Sequence, residues 1–130
     1  FVHCLAAEIN QVLLNLVVNA AHAIREAQAT RGAGRGIIGV STRAIDGGVE
    51  IRVSDTGNGI PEEIRSRVYE PFFTTKVVGK GTGQGLAIAH DVIVVKHGGT
   101  IDFESRPGEG TMFVVTLPLG GQDVPRELAA

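Results

Sequence analysis

The first run of the chain is apolar at helical spacing. Ala7 to about Ala29 is rich in Ala, Leu and Glu/Gln, contains no Gly or Pro, and ends at Thr30-Arg31-Gly32, which predicts one long helix. After the glycine-rich stretch Gly32 to Gly36 the period changes. Ile37 to Ile45 and Val49 to Asp55 read as strands joined through Asp46-Gly47-Gly48, a hairpin signal. Thr56-Gly57-Asn58-Gly59 is a loop, and Pro61 suits the start of a short helix carrying Glu62 and Glu63. An aromatic cluster, Tyr69 to Phe73, leads into the Gly/Lys/Thr-rich stretch Thr74 to Gln84. Gly85 to His97 reads as a second apolar helix closed by Gly98. Thr100 to Ser105 and Thr111 to Leu117 read as a second hairpin, while the residues from Gly120 on carry no pattern. The order of elements predicts an α/β sandwich with its helices on one face of a mainly antiparallel sheet. One domain is expected over 1–119, with its N-terminal edge open to truncation, and a loose tail over 120–130.

Composition narrows the function. The chain has 130 residues, 43% hydrophobic and 20% charged, enough for a single packed core. Glycine is in excess, 18 residues, about twice the usual ~7%, and it clusters in short loops, where a ligand can approach the backbone. A net charge of −2 gives no electrostatic footprint for nucleic acid. The single cysteine, Cys4, excludes an internal disulfide and fits a reducing compartment. His3, His22, His90 and His97 show no metal-ligand spacing with it. Val12 to Ile24, the most apolar stretch, is too short and too polar to cross a membrane. The chain opens at Phe1 and reads as a piece of something longer.

Three features suggest a ligand site. On the first helix, Glu8, Gln11, Asn15, Asn19, His22 and Glu26 fall within an arc of about 80°. For Glu8, Gln11 and Glu26 a solvent-facing stripe is the better reading. Two asparagines at i and i+4 in mid-helix cost stability without adding charge, and amide oxygens suit Mg²⁺. In the second strand Asp55 continues the face of Val49, Ile51 and Val53. A carboxylate there needs donors: either its own Thr56-Gly57 turn or a ligand's amino group, and spacing alone does not separate the two. The stretch 74–85 holds four glycines (79, 81, 83, 85), three threonines and two lysines ahead of a helix. Composition alone favours a surface loop there, yet such a loop can also cradle phosphates. Gly34-x-Gly36-x-x-Gly39 spells a dinucleotide fingerprint but precedes a strand rather than linking a strand to a helix, and is rejected.

Five segments in order, spanning roughly residues 4–118, resemble the motif set of the histidine-kinase, gyrase and chaperone ATPase superfamily. Gln11 to Ala21 resembles its asparagine box and Asp55 to Ile60 its first glycine box. Glu70-Pro71-Phe72-Phe73-Thr74-Thr75-Lys76 resembles the phenylalanine box, Gly81-Thr82-Gly83-Gln84-Gly85-Leu86 the second glycine box, and Gly110-Thr111 the third. The asparagine and phenylalanine boxes are similar to those of sensor histidine kinases more than to those of gyrases or chaperones. The resemblance implies a two-layer Bergerat-type sandwich with a mainly antiparallel mixed sheet, and ATP and Mg²⁺ as ligands.

It also implies roles, residue by residue. Asn19 would ligate Mg²⁺ with Asn15 assisting, and His22 stands where relatives carry a basic residue near the phosphates. Asp55 would accept from the adenine amino group, with Gly57, Gly59 and Ile60 beside the purine and Thr111 near the base. Thr74 to Gln84, with Thr74, Thr75, Lys76, Lys80, Gly81, Thr82, Gly83 and Gln84 at the nucleotide, would be a lid over the triphosphate hinged at Phe72-Phe73, with Phe73 also at the nucleotide and Lys76 or Lys80 reaching the phosphates. Gly83 and Gly85 would offer amides to phosphate, and Leu86 follows them. Gln84 replaces a leucine common in relatives. His90 and His97 are expected to be structural, His97 at the negative end of its helix.

The implied reaction is phosphoryl transfer from Mg-ATP to a histidine on a separate dimerisation and phosphoacceptor domain, with a response regulator served indirectly. No nucleic acid and no membrane contact by this domain are implied. The implied location is cytoplasmic, whether or not the parent is membrane-anchored. Hydrolysing relatives carry a glutamate where this chain has Asn15, and an amide is no general base. A serine-directed anti-sigma-type kinase and a non-catalytic nucleotide-binding regulatory module are the alternatives.

Overall fold

A computed structural model describes residues 4–70 and 85–119. The expected helix forms as α1, Ala6–Arg31, and stops where Gly32 takes the left-handed conformation at φ 63°. Two hairpins follow the order read from the sequence: β1 Ile38–Ile45 with β2 Gly48–Asp55, and β3 Thr100–Arg106 with β4 Gly110–Pro118. Between the hairpins lie a short 3₁₀ helix, Glu62–Arg67, preceded by Pro61, and a second helix. This second helix begins as α2, Gly85–His90, and continues π-helically over Asp91–Lys96. The change of winding is not visible in the sequence pattern.

The hairpins join through their inner strands into a sheet of order β1-β2-β4-β3, and every pairing among the described strands is antiparallel. The helices pack on one face. Ile9, Val12 and Leu16 of α1 and Ala89, Val92 and Ile93 of the second helix form one core with Ile51, Val53, Ile101, Phe113, Val115 and Leu117 of the sheet. In β4 alternate residues Thr111, Phe113, Val115 and Leu117 are buried, as one covered face requires. Cover ends before the β1 edge, leaving Ile37 and Val40 exposed.

The opposite face is polar and carries a buried charge. Glu50 receives Nε of Arg43 at 2.9 Å and Nε of Arg52 at 2.6 Å. Those guanidiniums, Arg43 first, hold its carboxyl below the usual carboxylate range. Arg43 is its direct register partner across β1 and β2, so pairing of the strands also pairs the charges.

Candidate nucleotide site

The asparagine face of α1 turns away from the core and toward the start of α2. Asn15 is half-buried; its amide donates from Nδ2 to the Gly85 carbonyl at 3.3 Å and accepts from Gln11 Nε2 at 3.0 Å. One turn later Asn19, also half-buried, makes no side-chain hydrogen bond to the described residues. His22 follows on the same face, half-buried. Gln11 is exposed, as expected for a solvent-facing residue, and its amide also holds Asn15. The solvent-facing expectation for Glu8 needs correction: it is half-buried, and Lys96 reaches it at 2.8 Å.

One turn beyond Asn19, Ala23 carries the first glycine loop. A Cβ on Gly57 would lie 2.6 Å from both the backbone carbon and the Cβ of Ala23. This glycine is therefore required by close packing of the loop on α1, a reason the sequence did not reveal. Gly59 is required twice, by φ 78° and by the Arg106 carbonyl, which a Cβ would approach to 2.5 Å.

Both readings of Asp55 meet in the structure. Its Oδ1 accepts the Gly57 N–H at 2.8 Å, the local turn contact. The residue is half-buried, and burial pushes its carboxyl above the usual range, while the backbone N–H groups of Gly57 and Thr111 pull the other way. Thr111 is its register partner on β4 and is buried. Its hydroxyl lies 2.9 Å from Ser105 Oγ, which accepts the Ile60 N–H at 2.6 Å.

Ser105 is a residue that sequence reading missed, together with Arg65 and Arg31, which also tie the loop down. Arg65 donates to the carbonyls of Ile60 at 3.2 Å and Ser105 at 2.8 Å. Arg31, at the end of α1, donates to Asn58 Oδ1 at 2.6 Å, and Asn58 donates to Thr30 Oγ1 at 3.2 Å. Apart from the Arg65–Ile60 contact, the partners are remote in sequence, so no local spacing could have announced them.

Gly85 starts α2 beside Asn15, and Leu86 is half-buried against the core. Tyr69 stacks on His90 with ring centroids 5.1 Å apart and lies edge-on to Phe103, in keeping with a structural His90. Burial pushes its hydroxyl up to about 12. Phe72, Phe73, Thr74, Thr75, Lys76, Lys80, Gly81, Thr82, Gly83 and Gln84 lie outside the described residues. Among the described residues no three His, Cys, Asp or Glu side chains converge on a metal position, and no helix is long and apolar enough to cross a membrane.

Comparison with known proteins agrees with this geometry. Residues 5–121 match the family described as histidine kinase-, DNA gyrase B- and HSP90-like ATPase. The sensor histidine kinase ZraS of Klebsiella oxytoca is 46% identical over 115 residues, covering 88% of this chain and 22% of ZraS. The chain thus spans about a fifth of the length of the curated relatives it matches. Among solved structures, the nucleotide-free catalytic domain of histidine kinase ThkA superposes with a TM-score of 0.77 at 34% identity, covering 94% of this chain and 73% of that one. Full-length ShkA in complex with AMPPNP superposes with a TM-score of 0.70 at 30% identity, covering 85% of this chain and 21% of that one.

Proposed function

Because the chain belongs to the histidine kinase-, DNA gyrase B- and HSP90-like ATPases, as the ATP-binding catalytic domain of a sensor histidine kinase, we propose that it transfers the γ-phosphoryl group of ATP to a histidine on a separate dimerisation and phosphoacceptor domain of its parent. Delivery onward to a response regulator follows from that reading.

One observation carries the proposal. Along α1, Gly85 sits beside Asn15, Asn19 comes one turn later, and Gly57 packs on Ala23 one turn after that. Eight residues of helix span about 12 Å, so the Asp55 loop and the start of α2 lie at opposite ends of one track with an amide between them. A nucleotide laid on that track has its base at Asp55 and its phosphates at Asn19 and Gly85. ShkA, a relative with this fold, is known in complex with AMPPNP.

The residues present suit Mg²⁺. Asn19 offers an amide oxygen that no described residue claims, and Asn15 has one held only by the exposed Gln11. Magnesium keeps several waters and takes phosphate oxygens alongside one or two protein ligands, so a site with neutral donors and no carboxylate cluster fits it. Asn19 and Asn15 would hold such an ion, which would neutralise phosphate charge there. Asp55 orients the base, the α1 amides hold the phosphate end, and the chain acts by positioning. Asn15 offers no general base for hydrolysis.

The reading is tested with the chain alone and ATP labelled on its γ-phosphate. The chain should bind the nucleotide, stay unlabelled and release phosphate slowly. Acid-labile label on this chain, or brisk hydrolysis abolished by Asn15→Ala, would contradict it.

A further inference from the structure

The second helix touches α1 at both of its ends. At the nucleotide end the tie is the half-buried Asn15 amide on the Gly85 carbonyl. At the far end it is His97, only 1% exposed. Its Nε2 accepts the backbone N–H of Leu5 at 2.9 Å, and its Nδ1 lies 2.8 Å from the Val92 carbonyl. Those partners leave one consistent proton assignment, Nδ1–H donating to Val92 and the Nε2 lone pair facing Leu5. Leu5 is the N-cap residue of α1 and makes no capping bond with its own side chain. Its N–H is instead satisfied by an imidazole 92 residues away. Lys96, the preceding residue, reaches Glu8 in the same first turn of α1.

We infer that His97 is a positioning residue for the nucleotide's phosphates: its bond to Leu5 sets how far the second helix slides along α1, and so the spacing between the Asn15–Asn19 face and Gly85. The inference rests on the proposed nucleotide site. The far end governs the register for two reasons. The nucleotide-end contact is a single long, partly solvated hydrogen bond that a ligand can displace. The far-end contact is buried instead, with His97 1% exposed and its other ring nitrogen held on the Val92 carbonyl. Among the polar ties between the two helices, the buried His97 bond, backed by Lys96 and Glu8, is the firmer hold on their register. Asp55 and Gly57 do not take part, because they seat on α1 from β2. Base and phosphate recognition are thereby held by different contacts.

The test separates those two halves by calorimetry on this chain with Mg-ATP and with adenosine. His97→Leu keeps the volume and loses both hydrogen bonds. Leu5→Pro keeps the imidazole in the sequence but replaces the N–H with a ring Cδ set against Nε2, so it breaks the tie from the Leu5 side, at a residue whose φ of −83° is close to what proline adopts. Each should weaken Mg-ATP roughly three- to tenfold and leave adenosine within about twofold. Val115→Ala, a sheet-core change that lowers melting temperature without touching the helix tie, should leave both affinities in place. Should His97→Leu fail to fold, Leu5→Pro decides. Unchanged Mg-ATP binding in the folded variants would overturn the inference, as would a parallel loss of adenosine or the same selective loss in Val115→Ala. Failure of the unaltered chain to bind Mg-ATP would instead remove the nucleotide site itself, and the inference with it.

Discussion

Replacing Asp55 with asparagine tests base recognition with little disturbance elsewhere. One carboxylate oxygen is committed to the Gly57 N–H at 2.8 Å. An asparagine at this position keeps that bond through its single amide oxygen, so the loop stays seated on α1. The second position changes from an acceptor to an N–H₂ donor and meets the adenine amino group donor to donor. Losing a hydrogen bond to a charged acceptor costs about 1.5–3 kcal/mol, or roughly one to two decades in Kd. Calorimetry should show ADP weakened by that factor, while IDP, whose base presents a carbonyl at the same place, weakens far less. The apo protein should move the other way. Burial raises the Asp55 carboxyl, so the folded state binds its proton more tightly than the unfolded chain. Its contribution is fully present below the ordinary carboxylate range and is lost as pH rises through the raised value. At neutral pH the variant, which has no charge to bury, should therefore melt slightly higher than the unaltered chain. Unchanged ADP affinity, or equal losses for ADP and IDP, would refute the assignment of the base to Asp55.

Other substitutions probe the rest of the frame. Asn19→Ala should abolish most of the Mg²⁺ enhancement of ATP binding while barely changing adenosine binding; an intact metal dependence in titrations would transfer the role to Asn15. Gly57→Ala forces a methyl into the Ala23 backbone and should cost about 1–3 kcal/mol in denaturant unfolding. Ser105→Ala leaves the Ile60 N–H without its acceptor and should cost about 1–3 kcal/mol, with faster hydrogen exchange at Ile60. Glu50→Gln should destabilise the chain at neutral pH. Arg43 and Arg52 lower the Glu50 carboxyl, so its stabilisation is present above the ordinary carboxylate range and is lost as pH falls through the lowered value; the difference in melting temperature should close in acid.

Much of the frame was legible because it obeys local periods. The single long apolar run gave α1 to within two residues at each end, and alternation along Val49, Ile51, Val53 and Asp55 placed the carboxylate on the covered face. Hairpin turns at Gly47 and Gly108 were visible as glycine signals, and both take positive φ. What escaped depends on contacts between distant segments. The joining of β2 to β4 decides the strand order, and nothing within either hairpin announces it. Within its own strand Glu50 is one more polar residue, and only the strand register sets Arg43 opposite it. His97 was read from helix polarity alone, whereas its partner is the start of the chain's first helix. In the candidate site, Asn15, Asn19 and Asp55 were readable as costly residues for their positions. The residues that hold the loop, Arg31, Arg65 and Ser105, look like common surface side chains in any window of sequence.

The central claim is phosphoryl transfer to histidine on another domain, and a mixing experiment tests it most directly. The chain, ATP labelled on its γ-phosphate with Mg²⁺, and the separately expressed phosphoacceptor domain of the parent are combined, and label on that domain is followed over time. Acid-labile, base-stable label should appear on a histidine of the partner only when this chain is present, and should be lost with Asn19→Ala. Acid-stable phosphoserine on the partner, or no transfer despite Mg-ATP binding, would contradict it.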